Sequence, residues 1–481
     1  MNAQSINNLF KLEDKYTLQE GQIILSGLQA LVRLPLDQGA ADKRNNLTTA
    51  GFISGYRGSP LGGLDTLLHN QKHLLDEHDI RFMPGINEDL AATAVYGTQM
   101  ADFFPDAKYD GVFSMWYGKG PGVDRSCDVF RHGNFAGSSR KGGVLAVAGD
   151  DGLSKSSTLP SAIEAAFYYL WMPLFHAGNV QEILDYGRYG IELSRYCGLW
   201  SALKVTTNVC DSFCTAEVSV ERLNILKPDF EINNEVWTPS QNILLLPPYS
   251  LELEHEIIYE RLEAAKYFAE QNKINQIFSH GDRDKIGIVS TGTSWYCMME
   301  AFASIGIGEK DLAEAGIRLM KLGMVYPLPD NQIKEFSKGL ERILVIEEKR
   351  SFIELFIREI LYNETVRPVV IGKNDESGDR LVPADGELDA DLIVKIFARV
   401  FQFKNDKISE RIKQIDEAQS IVLEKSIVRQ PYFCSGCPHN KSTQVVEGSI
   451  AGGGIGCHAL AIYMERSNFG ITHMGGEGVQ W

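Results

Sequence analysis

The sequence predicts a multidomain α/β protein with doubly wound, mostly parallel sheets. An apolar run from Thr48 to Ile53 is followed by a glycine-rich loop and then by leucines at helical spacing. A second alternation of apolar runs and helical patterns begins at Lys285. Parallel strands need long crossover connections, which are usually helices, so this alternation is typical of parallel sheets with helices on their faces.

The first half of the chain alternates strands and helices up to about residue 230. The predicted strands are 48–53, 112–117 and 144–148, and the predicted helices are 162–171 and 180–196. Each apolar run ends in glycines or acidic residues, as strands that lead into loops do. We assign residues 1–230 to one domain, and we interpret 231–280, where the pattern loosens around three prolines, as a connector.

The second half predicts a smaller α/β domain at 281–400, a charged linker at 401–429 and a tail at 430–481. The domain's predicted strands are 286–290, 317–322, 343–347 and 368–371, with helices at 295–304 and 351–362. In the tail we predict helices at 441–448 and 458–465 and a strand at 471–474.

Composition indicates a globular protein that does not bind nucleic acid or a membrane. The chain is 44% hydrophobic, and its 63 acidic and 47 basic residues give a net charge of −16. A negative field repels phosphate backbones and anionic lipids. The sequence shows no secretion signal and no apolar run long enough to span a bilayer, so we expect a cytoplasmic location. Eight cysteines are too few for a disulfide scaffold in 481 residues.

Three cysteines near the end of the chain, Cys434, Cys437 and Cys457, have the spacing C-x2-C-x19-C. Zinc and [4Fe-4S] sites normally take four ligands, so three imply an open site, a histidine ligand or a cysteine supplied from elsewhere. His439 or His458 would complete a zinc site. An iron-sulfur cluster, zinc, and buried or redox-active cysteines all remain open at this point.

A glycine-rich loop, a glutamate that begins a helix and a pair of basic residues are further candidates for a site. Glu477 lies in the run Gly475 to Gly478, where glycines would let a metal-bound phosphate approach a carboxylate, although an ordinary turn has the same composition. Glu88 begins an unusually apolar helix, where it is either a favourable first-turn charge or a carboxylate that faces a buried ligand. Lys119 and Arg125 either bind a substrate carboxylate or are solvated.

Taken in order, these motifs resemble the thiamine diphosphate-dependent 2-oxoacid:ferredoxin oxidoreductases, most closely the fused bacterial indolepyruvate type. The resemblance covers the whole chain and rests on Gly55 to Gly63, Asn87-Glu88, Gly118 to Ser126, Cys434 to Asn440, Gly454 to His458 and His473 to Gly478. It implies a pyrimidine-binding thiamine diphosphate domain at 1–230, a transketolase C-terminal-like domain at 281–400 and the start of a diphosphate-binding domain at 430–481.

The activity implied by the resemblance is oxidative decarboxylation of an aryl 2-oxoacid, such as indolepyruvate, to acyl-CoA. The implied cofactors are thiamine diphosphate, Mg²⁺ and a [4Fe-4S] cluster, and the implied partners are the 2-oxoacid, coenzyme A and ferredoxin. We also expect a homo-oligomer. A non-oxidative thiamine diphosphate-dependent decarboxylase and a non-enzymatic zinc-binding or assembly protein are the alternatives.

Site residues follow from the resemblance position by position. Glu88 matches the glutamate that bonds the cofactor's pyrimidine ring nitrogen, and Ser59 matches a residue that bonds the 2-oxoacid, with Lys119 and Arg125 as weaker candidates for its carboxylate. The remaining matches are Cys434, Cys437 and Cys457 for the cluster, Glu477 for Mg²⁺, and Gly456, His458, Gly476, Glu477 and Gly478 for cofactor binding.

The C-terminal end departs from the resembling proteins, which continue past a Glu-Gly-Val-x-Trp motif. From this we expect that a missing C-terminal portion or a complementary subunit completes the site, and that the chain alone is inactive. The sequence leaves open the preferred aryl 2-oxoacid, the fourth cluster ligand and the second Mg²⁺ ligand.

Overall fold

The computed structural model describes residues 11–155, 157–279, 281, 283–401, 406–421, 429–466 and 468–473. The chain divides into two compact units. The first comprises Met1–Leu153 and Ser161–Ile412, and the second comprises Ser154–Pro160 and Lys413–Trp481. Within the described residues, no helix is both long enough and apolar enough to cross a membrane.

A seven-stranded sheet, in the order β14-β6-β7-β5-β4-β2-β3, forms the centre of the first unit. All neighbouring pairs are parallel except β14 with β6. Its strands are β2 (Thr49–Gly55), β3 (Ile80–Phe82), β4 (Gly111–Lys119), β5 (Val144–Asp150), β6 (Leu174–His176), β7 (Ser201–Thr206) and β14 (Met324–Tyr326).

The helices of this part of the chain alternate with its strands, as the sequence predicts. They are α1 (Asp14–Thr17), α2 (Gly27–Arg44), α3 (Leu64–Asn70), α4 (Lys72–Glu77), α5 (Glu88–Thr98), α6 (Gly120–Ala136), α7 (Glu164–Tyr169), α8 (Val180–Cys197) and α9 (Thr207–Asp211), with short 3₁₀ helices at Ala101–Phe103 and Val220–Arg222. Every residue of β5 is buried, because helices cover both faces of a parallel sheet.

A five-stranded sheet, in the order β11-β13-β12-β15-β16, is the second sheet of the same unit. Its strands are β11 (Gln276–Phe278), β12 (Ile286–Thr291), β13 (Ile317–Leu322), β15 (Arg342–Ile346) and β16 (Val369–Ile371). The accompanying helices are α12 (Gly292–Ser304), α13 (Glu309–Ala315), α14 (Asp330–Ser337), α15 (Ile353–Leu361) and α16 (Ala390–Val400). Helix α17 (Asp406–Ser420) includes the boundary between the two units, after residue 412.

Residues 231–280, predicted as a connector, contain regular structure. The elements are β9 (Glu231–Ile232), β10 (Glu235–Val236), α10 (Tyr249–Glu256), a π-helical turn (Ile257–Arg261), α11 (Leu262–Gln271) and β11. Strand β11 pairs antiparallel with β13, so the second sheet begins before residue 281. A three-residue edge strand is too short to show a period in sequence. The domain bounds themselves stay predictions.

Two further strands lie outside the main sheets of the first unit. Strand β1 (Glu20–Ser26) pairs antiparallel with β8 (Phe213–Ser219) along its full length. Alternate residues of β1 are exposed, as in a strand with one solvated face.

The second unit contains a short helix, a 3₁₀ helix and a two-stranded parallel ribbon. These are α18 (His439–Ser442), the 3₁₀ helix Gly456–Tyr463, and β17 (Ala451–Gly453) paired with β18 (Asn468–Ile471). The predicted helix at 441–448 is wrong, because the α-helix ends at Ser442 and a turn leads to Gly448 at φ +79°. The predicted strand at 471–474 is shifted toward the N-terminus, and its residue 474 lies outside the described residues.

Candidate functional site

The carboxyl ends of β2, β3, β4 and β5 meet at one edge of the seven-stranded sheet, because these neighbouring strands are parallel. The glycine-rich loop 55–63 follows β2, Glu88 begins the helix after β3, and Lys119 ends β4. Ligands of doubly wound proteins bind outside the carboxyl ends of such strands. The sheet therefore gathers at one edge three of the segments singled out from the sequence.

Glu88 is a buried carboxyl group that has a free oxygen. The residue is only 2% exposed. Its Oε2 makes no hydrogen bond within the described part of the chain. Burial raises the pKa of Glu88, and the positive charges of Arg125 and Lys119 offset only part of that rise. A buried polar atom without a hydrogen-bond partner destabilises the folded protein unless a bound ligand supplies that partner.

The backbone around Glu88 is held on two sides. The side chain of Asn87 accepts a hydrogen bond from the backbone N–H of Leu90 at 2.9 Å and so caps α5. The indole Nε1 of Trp116 in β4 donates to the backbone carbonyl of Glu88 at 3.0 Å. Trp116 is itself fully buried. These contacts fix the start of α5, and with it the carboxyl group, against β4.

A glycine in α6 makes room for the Glu88 side chain. A Cβ added at Gly122 would lie 2.5 Å from Cγ of Glu88 and 3.0 Å from its Oε1. Only glycine therefore lets the first turn of α6 approach the carboxyl group this closely.

The glycine-rich loop lies against the end of β4. The backbone N–H of Tyr56 donates to the carbonyl of Tyr117 at 3.0 Å, and Tyr117 donates its hydroxyl to Asp65 at 2.6 Å. A Cβ at Gly58 would lie 2.8 Å from Cδ of Lys119. The loop that carries Ser59, which is half-buried, thus packs over the Lys119 side chain.

Two of the other predicted residues lie within electrostatic reach of Glu88. Lys119 is half-buried at the start of α6, and exposed Arg125 forms an ion pair with Asp89 through its Nε at 3.3 Å. The structure therefore brings Glu88, Lys119 and Arg125 together, with Ser59 on the neighbouring loop. Their roles in catalysis stay predictions.

A buried charged cluster at the same edge was missed from the sequence. Lys204 of β7 forms ion pairs with Asp150 at 2.9 Å and with Glu164 at 2.5 Å. Burial lowers the pKa of Lys204, but the two carboxylates outweigh this effect and raise it overall. Ser161 donates to Asp150, and a Cβ at Gly120 would lie 3.1 Å from that of Ser161. Charged residues inside or at the end of apolar runs, such as Lys204 and Asp150, are the signal that would have found it.

In the second unit the predicted cysteines lie on short, partly exposed segments. Cys434 and Cys457 are exposed and Cys437 is half-buried. The Sγ of Cys437 lies 3.3 Å from Nδ1 of His439. Among the described residues no group of three or more His, Cys, Asp and Glu side chains is placed to hold a metal ion. The three thiols do not form one ligand set in the described part of the chain.

The histidines near these cysteines have defined contacts. The ring of His439 stacks on Phe433, with centroids 5.2 Å apart, and lies 6.4 Å from the ring of His458. Nδ1 of His458 accepts a hydrogen bond from the backbone N–H of Gly454 at 3.1 Å. Gly456 has φ +69°, which favours glycine. The other predicted cofactor-binding residues, Gly476, Glu477 and Gly478, lie outside the described residues.

Comparison with known proteins identifies relatives of this fold and sequence. Residues 276–421 match the family described as the indolepyruvate oxidoreductase domain. Over 452 residues the chain is 24% identical to indolepyruvate oxidoreductase subunit IorA of Methanothermobacter marburgensis, covering 92% of this chain and 64% of the relative. It is also 24% identical to IorA of Archaeoglobus fulgidus, covering 96% of this chain and 68% of the relative.

The chain spans only part of the length of these relatives. It covers 64% of IorA from Methanothermobacter marburgensis and 52% of IorA from Pyrococcus horikoshii. Among solved structures, 2-oxoglutarate:ferredoxin oxidoreductase from Magnetococcus marinus, determined with 2-oxoglutarate, coenzyme A and succinyl-CoA, superposes with a TM-score of 0.56. That match has 13% sequence identity and covers 79% of this chain and 65% of the other.

The two α/β sheets thus have the fold of a 2-oxoacid:ferredoxin oxidoreductase. The matched domain, the IorA relatives and this fold together support the resemblance to the thiamine diphosphate-dependent 2-oxoacid:ferredoxin oxidoreductases that the sequence predicts. The α/β fold class predicted from the sequence is confirmed.

Proposed function

We propose that this chain takes part in the oxidative decarboxylation of an aryl 2-oxoacid of the indolepyruvate type, yielding acyl-CoA and reduced ferredoxin. The family match and the IorA relatives support this class of reaction. The observation that carries the proposal is the buried carboxyl group of Glu88, whose Oε2 is unpartnered within the described residues at the carboxyl edge of a parallel sheet.

Glu88 fits the task of binding a ring nitrogen of thiamine diphosphate. An unpartnered Oε2 is available for that bond, and burial raises the pKa of Glu88, so the carboxyl group holds a proton more readily than an exposed one. When bound, the cofactor supplies the carbon nucleophile and the electron sink for decarboxylation. Glu88 would share a proton at Oε2 with the ring nitrogen, and the walls formed by Trp116 and α6 would exclude water.

We propose that the basic residues and the glycine-rich loop bind the substrate. Lys119 and Arg125 supply positive charge beside Glu88, and an arginine binds a carboxylate through two parallel hydrogen bonds. Arg125 would have to exchange its ion pair with Asp89 for the substrate. Ser59 would bond the 2-oxo group or the carboxylate from the loop. A homo-oligomer and a cytoplasmic location belong to the same proposal.

We also propose Cys434, Cys437 and Cys457 as ligands of a [4Fe-4S] cluster and Glu477 as a ligand of Mg²⁺. Three thiols within 24 residues have the chemistry of such a cluster, although the described structure does not assemble them. Gly456 and His458, with the glycines around Glu477, would contact the cofactor.

The metal and cofactor content of the anaerobically purified protein tests this proposal against its alternatives. We expect iron, acid-labile sulfide and thiamine diphosphate. Zinc without iron or thiamine diphosphate would support a zinc-binding protein instead. Thiamine diphosphate without iron, with activity retained in a Cys434→Ala variant, would support a non-oxidative decarboxylase.

A further inference from the structure

A cavity in the first unit is lined by none of the residues of the candidate site around Glu88. Its volume is about 330 Å³, and its walls come from the end of α2, the middle of α8 and the segment 220–227. Helix α2 leads into the start of β2, which places the cavity toward the amino ends of the parallel strands. It is therefore separate from the site at their carboxyl ends.

Basic side chains line this cavity in a strongly acidic protein. Arg44, Arg188 and Lys227 face Glu192 and Glu221, so cations outnumber carboxylates in its lining although the whole chain has a net charge of −16. Two of the cations are paired. Arg44 lies 2.7 Å from Glu221, and Lys227 lies 2.5 Å from Glu192.

Arg188 is the cation left without a close counter-ion. It is 7% exposed, and its Nε donates to Oε1 of Gln38 at 3.1 Å. Across the described residues its guanidinium forms no ion pair, and the bond from Nε to Gln38 is its one hydrogen bond. The carboxylates of Asp37, Asp42 and Glu192 act on it only from a longer distance.

Arg195, a neighbouring arginine on the same helix, has carboxylate partners for its guanidinium group. Arg195 is 3% exposed and binds both oxygens of Asp42, at 2.6 and 2.7 Å, and also Glu192 at 2.9 Å. Burial lowers the pKa of Arg195, but these carboxylates outweigh it and raise the pKa overall, whereas burial leaves the pKa of Arg188 lowered. The terminal nitrogens of Arg188 thus have the donor capacity that an anion in the cavity would fill.

We propose that this cavity binds a small phosphorylated molecule, with its phosphate group on Arg188. A phosphate accepts parallel hydrogen bonds from a guanidinium and carries enough charge to interact with Arg44 and Lys227 as well. The half-buried side chains of Val220, Leu223 and Ile225 line the rest of the cavity. They give an apolar surface for the ring or carbon chain that carries the phosphate.

Isothermal titration calorimetry with inorganic phosphate and with adenosine monophosphate tests this proposal on the full chain. We expect saturable binding of adenosine monophosphate, competition by inorganic phosphate, and affinity that falls with salt. Arg188→Gln should weaken binding about tenfold or more, because charged hydrogen bonds are lost from a buried site. Lys227→Gln, at an exposed position, should weaken it about threefold.

Lys43→Gln is the matched control, since Lys43 precedes Arg44 on α2, is exposed, and does not line the cavity. It should bind as the wild type does. If Arg188→Gln does not fold, the weaker binding expected of Lys227→Gln still tests the proposal. Equal affinity in the wild type and both cavity variants, or no binding of either phosphate compound at millimolar concentration, would overturn the proposal. Binding of benzoate without phosphate would overturn it in favour of a carboxylate site.

Discussion

Replacing Gly122 by alanine would drive a methyl group into the Glu88 side chain. The added Cβ would lie 2.5 Å from Cγ of Glu88, a distance at which either the carboxyl group or α6 must shift. Overpacking of this kind costs about 1–3 kcal/mol. Alanine recovers about 0.5 kcal/mol of backbone entropy in a helix. The net loss in free energy of unfolding should therefore be about 0.5–2.5 kcal/mol.

Gly97→Ala is the matched control for this variant. Gly97 is an exposed glycine in α5, the helix that begins with Glu88, and nothing lies within 4 Å of a Cβ built there. Alanine at this position should raise the free energy of unfolding by about 0.5–1 kcal/mol through helix propensity alone.

Urea denaturation followed by circular dichroism measures both changes. If Gly122→Ala is as stable as Gly97→Ala, then α6 does not approach Glu88 as described, and the closed wall of the candidate site is refuted.

Three further perturbations have defined outcomes. Lys204→Met should destabilise the chain by about 3–5 kcal/mol, measured by thermal unfolding, because Asp150 loses a buried partner; a loss below that of an exposed lysine variant would contradict the buried pairing. Burial raises the pKa of Glu347 from 4.5 to about 7. As pH rises from 4.5 to beyond 7, the free energy of unfolding of the wild type should fall by about 3 kcal/mol relative to Glu347→Gln, because between these pH values only the folded state keeps the proton on Glu347. If the stability of both proteins changes with pH in the same way, the raised pKa of Glu347 is excluded. Cys434→Ala should lower the iron content after anaerobic purification, whereas Cys214→Ala should not, and equal iron in both would exclude Cys434 as a ligand.

The sequence predicts the alternating fold well, because the determining features are local. The strand predicted at 144–148 is found as β5, and the helix at 180–196 as α8, each marked by its own apolar pattern and by breakers at its ends. Long-range pairing is not visible in the same way. Strand β14 crosses from the second half of the chain to the edge of the first sheet, and no local pattern specifies that partner.

The candidate site was predictable only in part for the same reason. Glu88 and Lys119 stand in distinctive local motifs, and the parallel sheet order then brings them to one edge. The pairing of Lys204 with Asp150 depends on two neighbouring strands whose residues are 54 apart in sequence, so only the fold reveals it. The cysteine spacing indicates thiolate ligation but leaves the complete ligand set unspecified.

Binding of thiamine diphosphate to Glu88 is the central claim, and calorimetric titration of thiamine diphosphate with Mg²⁺ tests it most directly. Asp89→Asn is the control, because Asp89 is the next residue, has the same charge and is more exposed. We predict that Glu88→Gln weakens binding about tenfold or more, as expected for a lost charged hydrogen bond, while Asp89→Asn binds like the wild type. Equal affinity of the wild type and Glu88→Gln would contradict the claim.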